Sequence, residues 1–298
     1  MEIVWLADLQ ALAETLNFSR AAENRNVTQP AFGRRIRALE EWCGLELIDR
    51  STHRLKLTAA GEIVLDAAND VANRLERVRQ DLDRTRADSS TVTFAATHAL
   101  SFVFFPRWIQ GLGHVTSTMP IRLLSDNMNE CEKIMLGGRA QFLLCHYHEN
   151  SKIRLDAADF KHVELSTDRL IPVSGKDEKG GARHRLPGTQ EAPVAEIAFE
   201  EKSGMGRILA SNLSSRLGEL HLNTVFTSHL AMVLKALAVD GKGVAWIPES
   251  LAADELGPKG RLTKAASDEW AVSVKIVLIR PRTRMTAFAE AFWELVQK

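Results

Sequence analysis

The chain has 298 residues, and its 38 basic and 38 acidic side chains give a formal net charge of zero. Hydrophobic residues make up 45 % and charged residues 26 %, ordinary globular values that exclude wholesale disorder. The length suits two or three domains. No apolar run is long enough to span a membrane, and the first residues do not resemble a signal peptide, so we expect a cytoplasmic protein. Three scattered cysteines predict no disulfide framework.

The first 45 residues predict three helices. Apolar residues recur at helical spacing up to Leu16. A short second helix is expected from Ser19, as N-cap, to about residue 25. Thr28 is the predicted N-cap of the third helix, which has Pro30 in its first turn and ends before Gly44. The tight turn between the second and third helices is typical of a helix-turn-helix.

The third helix has two contrasting faces. At 100° per residue, one side collects the apolar Phe32, Ile36, Leu39 and Cys43. The opposite side collects Gln29, Pro30, Gly33, Arg34 and Arg37. Eight basic residues stand against five acidic ones between Asn17 and Thr58. A solvated basic face is one interpretation, but the tight turn, the buried face and the local charge together favour a helix that reads the DNA major groove.

A wing and a long helix are predicted next. Alternating leucines around residues 45–57 predict two short strands, and the tip between them carries Arg50, Ser51, Thr52, His53 and Arg54, which could meet phosphates. After Thr58, apolar residues follow a heptad spacing at Val64, Ala68, Val71, Leu75, Val78 and Leu82. This seam predicts dimerisation; the alternative is a helix packed on its own domain.

Beyond residue 90, short β-rich runs alternate with helical ones, which predicts an α/β domain with mostly parallel sheets. Ligands of such sheets bind where strands end and helices begin. We therefore expect a binding site among the turns at residues 97–101, 203–207 and 227–231.

The segment "NFSRAAENRNVTQPAFGRRIRALEEWCGLELIDRSTHRLKLTAAGE" resembles the DNA-binding region of LysR-type transcriptional regulators, and "LKALAVDGKGVAWIPE" resembles their effector domain. The resemblance implies an α/β protein with an N-terminal winged helix-turn-helix, a long dimerisation helix and a two-lobed, periplasmic-binding-protein-like effector domain. The corresponding segments are 1–58, 59–87 and 88–298, with lobe I at about 91–161 and 267–298 and lobe II at about 162–266. Such proteins assemble as dimers or tetramers on double-stranded promoter DNA.

The resemblance also assigns residues. Base-reading positions fall on Gln29, Pro30, Gly33 and Arg34, and the phosphate contacts fall on Arg50 and Arg54. Gly33 stands where the family usually has serine. With the cap residues and the exposed helix face, the complete predicted DNA-binding set is Ser19, Arg20, Thr28, Gln29, Pro30, Gly33, Arg34, Arg37, Arg50 and Arg54. The predicted effector pocket comprises Thr97, His98, Ser101, Ser203, Met205, Thr227 and Ser228.

Within that family, "AATHALSFVFFP", "GMGR" and "DGKGVAWIPE" look most similar to the hypochlorite-responsive branch, in which Met205 would be the oxidant-sensing methionine and Leu230 replaces a further one. The effector is accordingly expected to be a small molecule or an oxidant. No catalytic motif, cofactor or metal site is predicted. The alternative function is a cytoplasmic solute-binding α/β protein without DNA specificity.

Overall fold

A computed structural model describes residues 1–50, 55–86, 91–113 and 119–297. The chain divides into two compact units, the first comprising Met1–Arg86 with Leu136–Gly138 and the second Ala87–Met135 with Arg139–Lys298. The predicted wing residues Ser51, Thr52, His53 and Arg54 lie outside the described residues.

The first unit is helical, with a small two-stranded wing. Its helices are α1 (Ile3–Thr15), α2 (Phe18–Asn24), α3 (Gln29–Cys43) and α4 (Ala59–Arg86). The wing pairs β1 (Ile48–Asp49) with β2 (Lys56–Leu57) in antiparallel fashion. The apolar faces of the helices meet in one core that includes Leu9, Leu12, Phe32, Ile36 and Leu39. This arrangement confirms the predicted winged helix-turn-helix.

Local chemistry explains where these helices begin and end. Thr28 occupies the N-cap of α3 and Gly44, at φ 71°, ends it, both as predicted. The N-cap of α2 differs from the prediction. Asn17 holds that position and its side chain accepts from the backbone N–H groups of Ser19 and Arg20, so Ser19 lies inside the helix.

The start of α4 depends on a glycine. The Thr58 hydroxyl accepts a hydrogen bond from the Gly61 N–H at 3.0 Å and donates one to the Glu46 carbonyl at 2.8 Å. A Cβ atom on Gly61 would lie 2.1 Å from the Leu47 carbonyl oxygen. Only a residue without a side chain therefore lets α4 pass this close to the base of the wing.

The apolar seam of α4 has two parts. Ala68 is buried and Val64 half-buried against the core of the same unit, so both positions have a packing role within the chain. Val71, Leu75 and Val78 are exposed. The side chain of Leu82 is outside the described part of the helix.

The second unit contains strands and helices in alternation. Its strands are β3 (Val92–Thr97), β4 (Ile121–Asp126), β5 (Phe142–Tyr147), β6 (Phe160–Gly175), β7 (Val194–Phe199), β8 (Leu222–Ser228), β9 (Ala245–Pro248), β10 (Leu262–Lys264) and β11 (Val272–Pro281). Its helices are α5 (His98–Val103), α6 (Phe105–Gly111), α7 (Met128–Leu136), α8 (Gly204–Leu213), α9 (Ala231–Val239), α10 (Glu249–Leu256) and α11 (Ala287–Val296). Short 3-10 helices cover Ser214–Glu219 and Asp268–Trp270.

The main sheet is mixed, which corrects the expectation of mostly parallel strands. Its order is β10-β6-β11-β5-β3-β4, and β9 also pairs with β6. Only β3 with β4 and β3 with β5 pair in parallel; the strands joined to β6 and β11 run antiparallel. The remaining strands, β7 and β8, form a separate parallel pair.

Two long strands pass through both lobes. Val163 and Leu165 of β6 pack on one hydrophobic cluster with β3 and α11, whereas Val173 packs on the cluster around α9 and α10. Along β11 the change of cluster falls between Val274 and Ile276. The structure thus confirms a two-lobed domain. The change of hydrophobic cluster lies within these two strands, and the lobe limits at 161/162 and 266/267 stay a prediction.

Gly61 and Gly33 provide a matched pair of helical glycines for a stability test. We expect Gly61→Ala to lower the free energy of unfolding by about 1–3 kcal/mol, because the added methyl overlaps the Leu47 carbonyl. We expect Gly33→Ala to raise it by up to about 1 kcal/mol, since a Cβ there meets nothing within 4 Å. Urea denaturation followed by circular dichroism measures both. A Gly61→Ala protein as stable as wild type would contradict the close approach.

Candidate functional site

The exposed face of α3 borders a concave surface. Gln29, Pro30, Arg34 and Arg37 are exposed and Gly33 is half-buried, while Phe32, Ile36 and Leu39 are fully buried on the opposite side. Phe18 and Arg50 complete the concave surface. The structure thus brings together most of the predicted DNA-binding residues; Arg54 lies outside the described residues.

The arginines near α3 divide into two groups. Asp8 of α1 is fully buried and is contacted by Arg25 Nε at 2.8 Å and Arg35 Nη1 at 3.4 Å. These two guanidiniums neutralise a buried carboxylate and tie α1 to the C-cap of α2 and to α3. Arg34 and Arg37 have no carboxylate within 4.0 Å among the described residues. Their donors are free for a ligand.

Two side chains from α2 extend this surface. The Ser19 hydroxyl donates to Gln29 Oε1 at 3.2 Å, which orients the glutamine carboxamide. One lone pair on that oxygen and the amide donors of Gln29 remain available. Arg20 is exposed beside Ser19, and the Thr28 hydroxyl makes no cap hydrogen bond to its own helix.

Arg50 has a structural partner that the sequence did not reveal. Arg50 Nη2 lies 2.8 Å from Oε2 of Glu40, which is buried under the wing. The other oxygen of Glu40 accepts from the backbone N–H groups of Leu47 and Ile48, at 3.0 and 3.3 Å. Glu40 therefore fixes the base of the wing on α3, and Arg50 is held at the edge of the concave surface with 43 % of its side chain exposed.

A second candidate site is a cavity of about 50 Å³ in the second unit. By the usual space requirement of a bound water, it has room for only a few water-sized groups. Four predicted effector residues line it: Thr97, His98, Ser203 and Met205. Six further lining residues lie outside the turns that the sequence predicts, namely Asp126, Asn127, Met128, His146, Phe199 and Ile208.

Three predicted effector residues do not line the cavity. Ser101 lies one helical turn after Thr97, and its hydroxyl is 3.1 Å from the Thr97 carbonyl and 2.8 Å from the Ser125 hydroxyl, which also contacts His98 Nδ1 at 3.0 Å. Thr227 and Ser228 end β8, where the Ser228 hydroxyl accepts from the Leu230 N–H. Ser101 therefore supports the cavity through a neighbour, and the β8 pair shapes the turn before α9.

Buried polar atoms without hydrogen-bond partners surround this cavity. They include Thr97 Oγ1 and both ring nitrogens of His146. His146 Nε2 lies 3.5 Å from Asp168 Oδ2, a contact longer than an ordinary hydrogen bond. Such unpartnered atoms are uncommon in folded proteins and are typical of places where water or a ligand binds.

Asp168 links the cavity wall to β6 and α10. Burial raises the pKa of its carboxyl, but the contacts from His146 and Ser250 outweigh burial and hold the pKa below its ordinary value. The Ser250 hydroxyl donates to Asp168 Oδ2 at 2.5 Å. The carboxylate is thus ionised at neutral pH and fixes one side of His146.

The cysteines of the second unit are poor candidates for chemistry. Cys131 and Cys145 are fully buried, and burial raises the pKa of Cys131 to about 12 and that of Cys145 further still. Both are therefore thiols at neutral pH, whereas the thiolate is the reactive form. No cluster of three or more metal-ligating side chains occurs among the described residues, so the histidines of the cavity do not form such a site.

Arg25 and Arg34 allow a test of the division among the arginines. We expect Arg25→Ala to lower the free energy of unfolding by about 1–3 kcal/mol, because it leaves the buried Asp8 with one long contact. Arg34→Ala should change it by no more than about 0.5 kcal/mol, since Arg34 is exposed. Thermal and urea denaturation compare the two. Equal stability of both variants would remove the structural role of Arg25.

Comparison with known proteins finds a family match for the helix-turn-helix region and another for the second unit. Residues 3–62 match the family described as bacterial regulatory helix-turn-helix protein, lysR family, and residues 85–298 match the LysR substrate binding domain. The regulator YjiE of Escherichia coli K12 is 32 % identical over 98 % of this chain and 93 % of its own length.

Solved structures give the same result. Full-length HypT of Salmonella typhimurium, a hypochlorite-specific LysR-type transcriptional regulator, is 30 % identical, covers 100 % of this chain and 98 % of its own, and has a TM-score of 0.60. DarR of Vibrio fischeri, solved in complex with DNA, is 28 % identical over 99 % of this chain and 98 % of its own, with a TM-score of 0.58.

Among the described residues, no helix is both long enough and apolar enough to cross a membrane. The helix-turn-helix surface, the two-lobed second unit and the similarity over nearly the whole length lead to one assignment. The chain belongs to the LysR family of transcriptional regulators, which are DNA-binding proteins with an effector-binding domain and not enzymes.

Proposed function

We propose that this regulator reads promoter DNA with the exposed face of α3 and responds to a small oxidant through Met205. The observation that carries the DNA part is the group of unpaired donors on that face: Arg34 and Arg37 point away from the core and contact no carboxylate among the described residues. An α-helix fits the major groove, where arginine pairs with guanine through two hydrogen bonds.

Gln29 supports the same interpretation. Its carboxamide is oriented by the Ser19 hydroxyl, which uses one lone pair of Oε1. The second lone pair can accept from adenine N6 while the amide donates to N7. Arg20 and Thr28, exposed at neighbouring positions, are suited to phosphate contacts, as is Arg50 at the end of β1. Arg54, the other phosphate contact that the family resemblance implies, lies outside the described residues.

Gly33 leaves a gap in this surface. No atom lies within 4 Å of the position that a Cβ would take, so the helix could carry a serine there without rearrangement. The gap lies on the reading face with Gln29 and Arg37. A base edge opposite it meets backbone instead of a hydroxyl, which reduces hydrogen-bond selection at that position.

The exposed part of the α4 seam supports a homodimer. Val71, Leu75 and Val78 are exposed and recur at heptad spacing, as in helices that pair with a second copy. A dimer would present two copies of α3 to two half-sites of one promoter. Pairing of dimers into a tetramer is part of this proposal.

The effector part rests on the small cavity. Its volume of about 50 Å³ suits a molecule of few atoms better than a large organic ligand. Met205 and Met128 both line it. The two buried cysteines are protonated at neutral pH, which leaves thioethers as the oxidisable sulfurs of this region. The similarity to HypT, a hypochlorite-specific regulator, points in the same direction.

The proposed reaction is the oxidation of the Met205 thioether by hypochlorous acid. The sulfur lone pair attacks chlorine and hydroxide leaves. Water then adds to sulfur, chloride departs and the added water loses two protons, one of which neutralises the hydroxide. The net products are the sulfoxide, chloride and one proton. Oxidation turns an apolar side chain polar. Met205 packs partly on the apolar clusters of lobe II, so the sulfoxide would be displaced toward the unpartnered Thr97 hydroxyl and thereby shift the lobes.

Reversible binding of a small polar ligand is a second candidate for the effector. The observation that favours it is the pair of unpartnered polar side chains, Thr97 and His146, in the cavity wall. The Met205 experiment below distinguishes the two, because reversible binding needs no oxidisable sulfur.

For the DNA surface, we expect Arg34→Ala to weaken binding to the protein's own upstream DNA by about 10- to 100-fold, as for loss of one two-bonded arginine–guanine contact. Arg284→Ala, which removes the same charge from an exposed position in the second unit, is the control and should bind like wild type. Gly33→Ser should bind with an altered base preference at one position. Gel shifts and binding-site selection at fixed salt measure these effects. Equal affinities for Arg34→Ala and wild type would refute the proposed surface.

For the oxidant, we expect hypochlorite to change promoter occupancy by wild type and Met205→Leu to abolish most of that change, because leucine keeps a similar volume but cannot form a sulfoxide. Met232→Leu is the control, since Met232 is exposed and does not line the cavity. Footprinting before and after treatment, with a sulfoxide reductase added back, gives the readout. An undiminished response in Met205→Leu would eliminate Met205 as the sensor.

A further inference from the structure

A buried acidic residue joins the two helices that carry the cavity methionines. Glu132 of α7 is fully buried. Its Oε1 accepts from the Arg154 backbone N–H at 2.9 Å and contacts Arg207 Nη2 of α8 at 3.5 Å. Arg207 Nη1 also donates to the Lys152 carbonyl at 3.2 Å. Because α7 connects β4 to β5 and α8 follows β7, this ion pair connects the two lobes.

Glu132 and Arg207 form fewer hydrogen bonds with each other than the two groups allow. Glu132 Oε2 and Arg207 Nε are buried atoms without partners. Arginine and a carboxylate can form two parallel hydrogen bonds, but here a single long contact joins them. A buried carboxylate with one free oxygen is costly in free energy. The attraction between Glu132 on α7 and Arg207 on α8 therefore contributes to the distance between these two helices.

The same two helices present the methionines. Met128 lies one helical turn before Glu132 on α7, and Met205 lies two residues before Arg207 on α8. The helices touch at this end, since a Cβ on Gly204 would lie 2.9 Å from Met128 Cβ. A change in the distance between Glu132 and Arg207 therefore changes the gap in which the Met205 thioether lies.

We propose that Glu132 and Arg207 are positioning residues for Met205: their ion pair sets the spacing of α7 and α8 and so limits access of oxidant to the thioether. This inference rests on the proposed function, in which Met205 is the oxidised residue. Neither side chain lines the cavity, so both act through the helices they join.

The test measures the oxidation rate of Met205 relative to that of Met232 in the same full-length molecule, by peptide mass spectrometry after limiting hypochlorite. Met232 is exposed and serves as internal reference. We expect the Met205/Met232 ratio to rise by about threefold or more in Glu132→Gln and in Arg207→Gln, because either change loosens the contact. The double variant should show the same rise as each single one, since the pair acts as a unit.

Lys133→Gln is the matched control. It breaks the exposed contact of Lys133 with Glu130 on the same helix and should leave the ratio unchanged. Either single variant leaves one charged side chain without its partner, fully buried in the case of Glu132 and 23 % exposed in the case of Arg207, and could fail to fold. The double variant, which removes both charges, therefore keeps the test decisive. A wild-type ratio in a folded double variant would overturn the positioning role. If Met205 oxidises in wild type without changing promoter occupancy, the sensing proposal fails, while the ratio still reports on positioning.

Discussion

Buried carboxylates determine how the charge of this chain is used. Asp8, Glu40, Glu132 and Asp168 are the buried acidic residues of the described chain, and each binds groups on at least one other element. A carboxylate removed from water needs partners, so each of these pairings fixes the geometry of the elements it joins. The arginines bound to Asp8 hold the helix-turn-helix together, and those left over, Arg34 and Arg37, face solvent beside Gln29. The net charge of zero is compatible with DNA binding, because the arginines that pair with buried carboxylates are different residues from the unpaired arginines at the surface.

The sequence predicted the first unit well because its signals are local. Caps, a first-turn proline, Gly44 and the two faces of α3 depend on residues within one or two helical turns of each other. The packing partner of the apolar seam of α4 was harder to predict. Heptad spacing indicates that an apolar stripe is covered by another surface, but it does not identify that surface. For Ala68 the partner is the core of the same chain, whereas Val71, Leu75 and Val78 have none among the described residues. The 16-residue strand β6 alternates between buried and more exposed side chains in its first half and is buried almost throughout its second half, which lies in another lobe.

Within the cavity, the sequence identified residues in turns before helices: Thr97, His98, Ser203 and Met205. It missed His146, whose role depends on Asp168, 22 positions away on a neighbouring part of the sheet. It also missed Met128, which meets Gly204 only because two lobes fold together. Contacts between residues far apart in the chain produce no periodic pattern of residue types in a single sequence. The antiparallel arrangement of β6 and β11 escaped prediction for the same reason, since alternation of strands and helices does not fix strand direction.

The distribution of unmet hydrogen bonds distinguishes the two sites. In the first unit both oxygens of Asp8 and both oxygens of Glu40 have donor partners, which hold the helices and the base of the wing in place. In the described part of the second unit, the unpartnered atoms of Thr97, Glu132, His146 and Arg207 lie in or next to one cavity between lobes, and one further such atom, Trp293 Nε1, lies in the core of the other hydrophobic cluster. A folded protein tolerates such atoms where another arrangement can satisfy them. The surface beside α3, whose supporting carboxylates are paired, therefore suits recognition of a fixed partner. The cavity, whose polar atoms lack partners, suits a change of conformation on ligand binding, and a ligand-controlled regulator requires both.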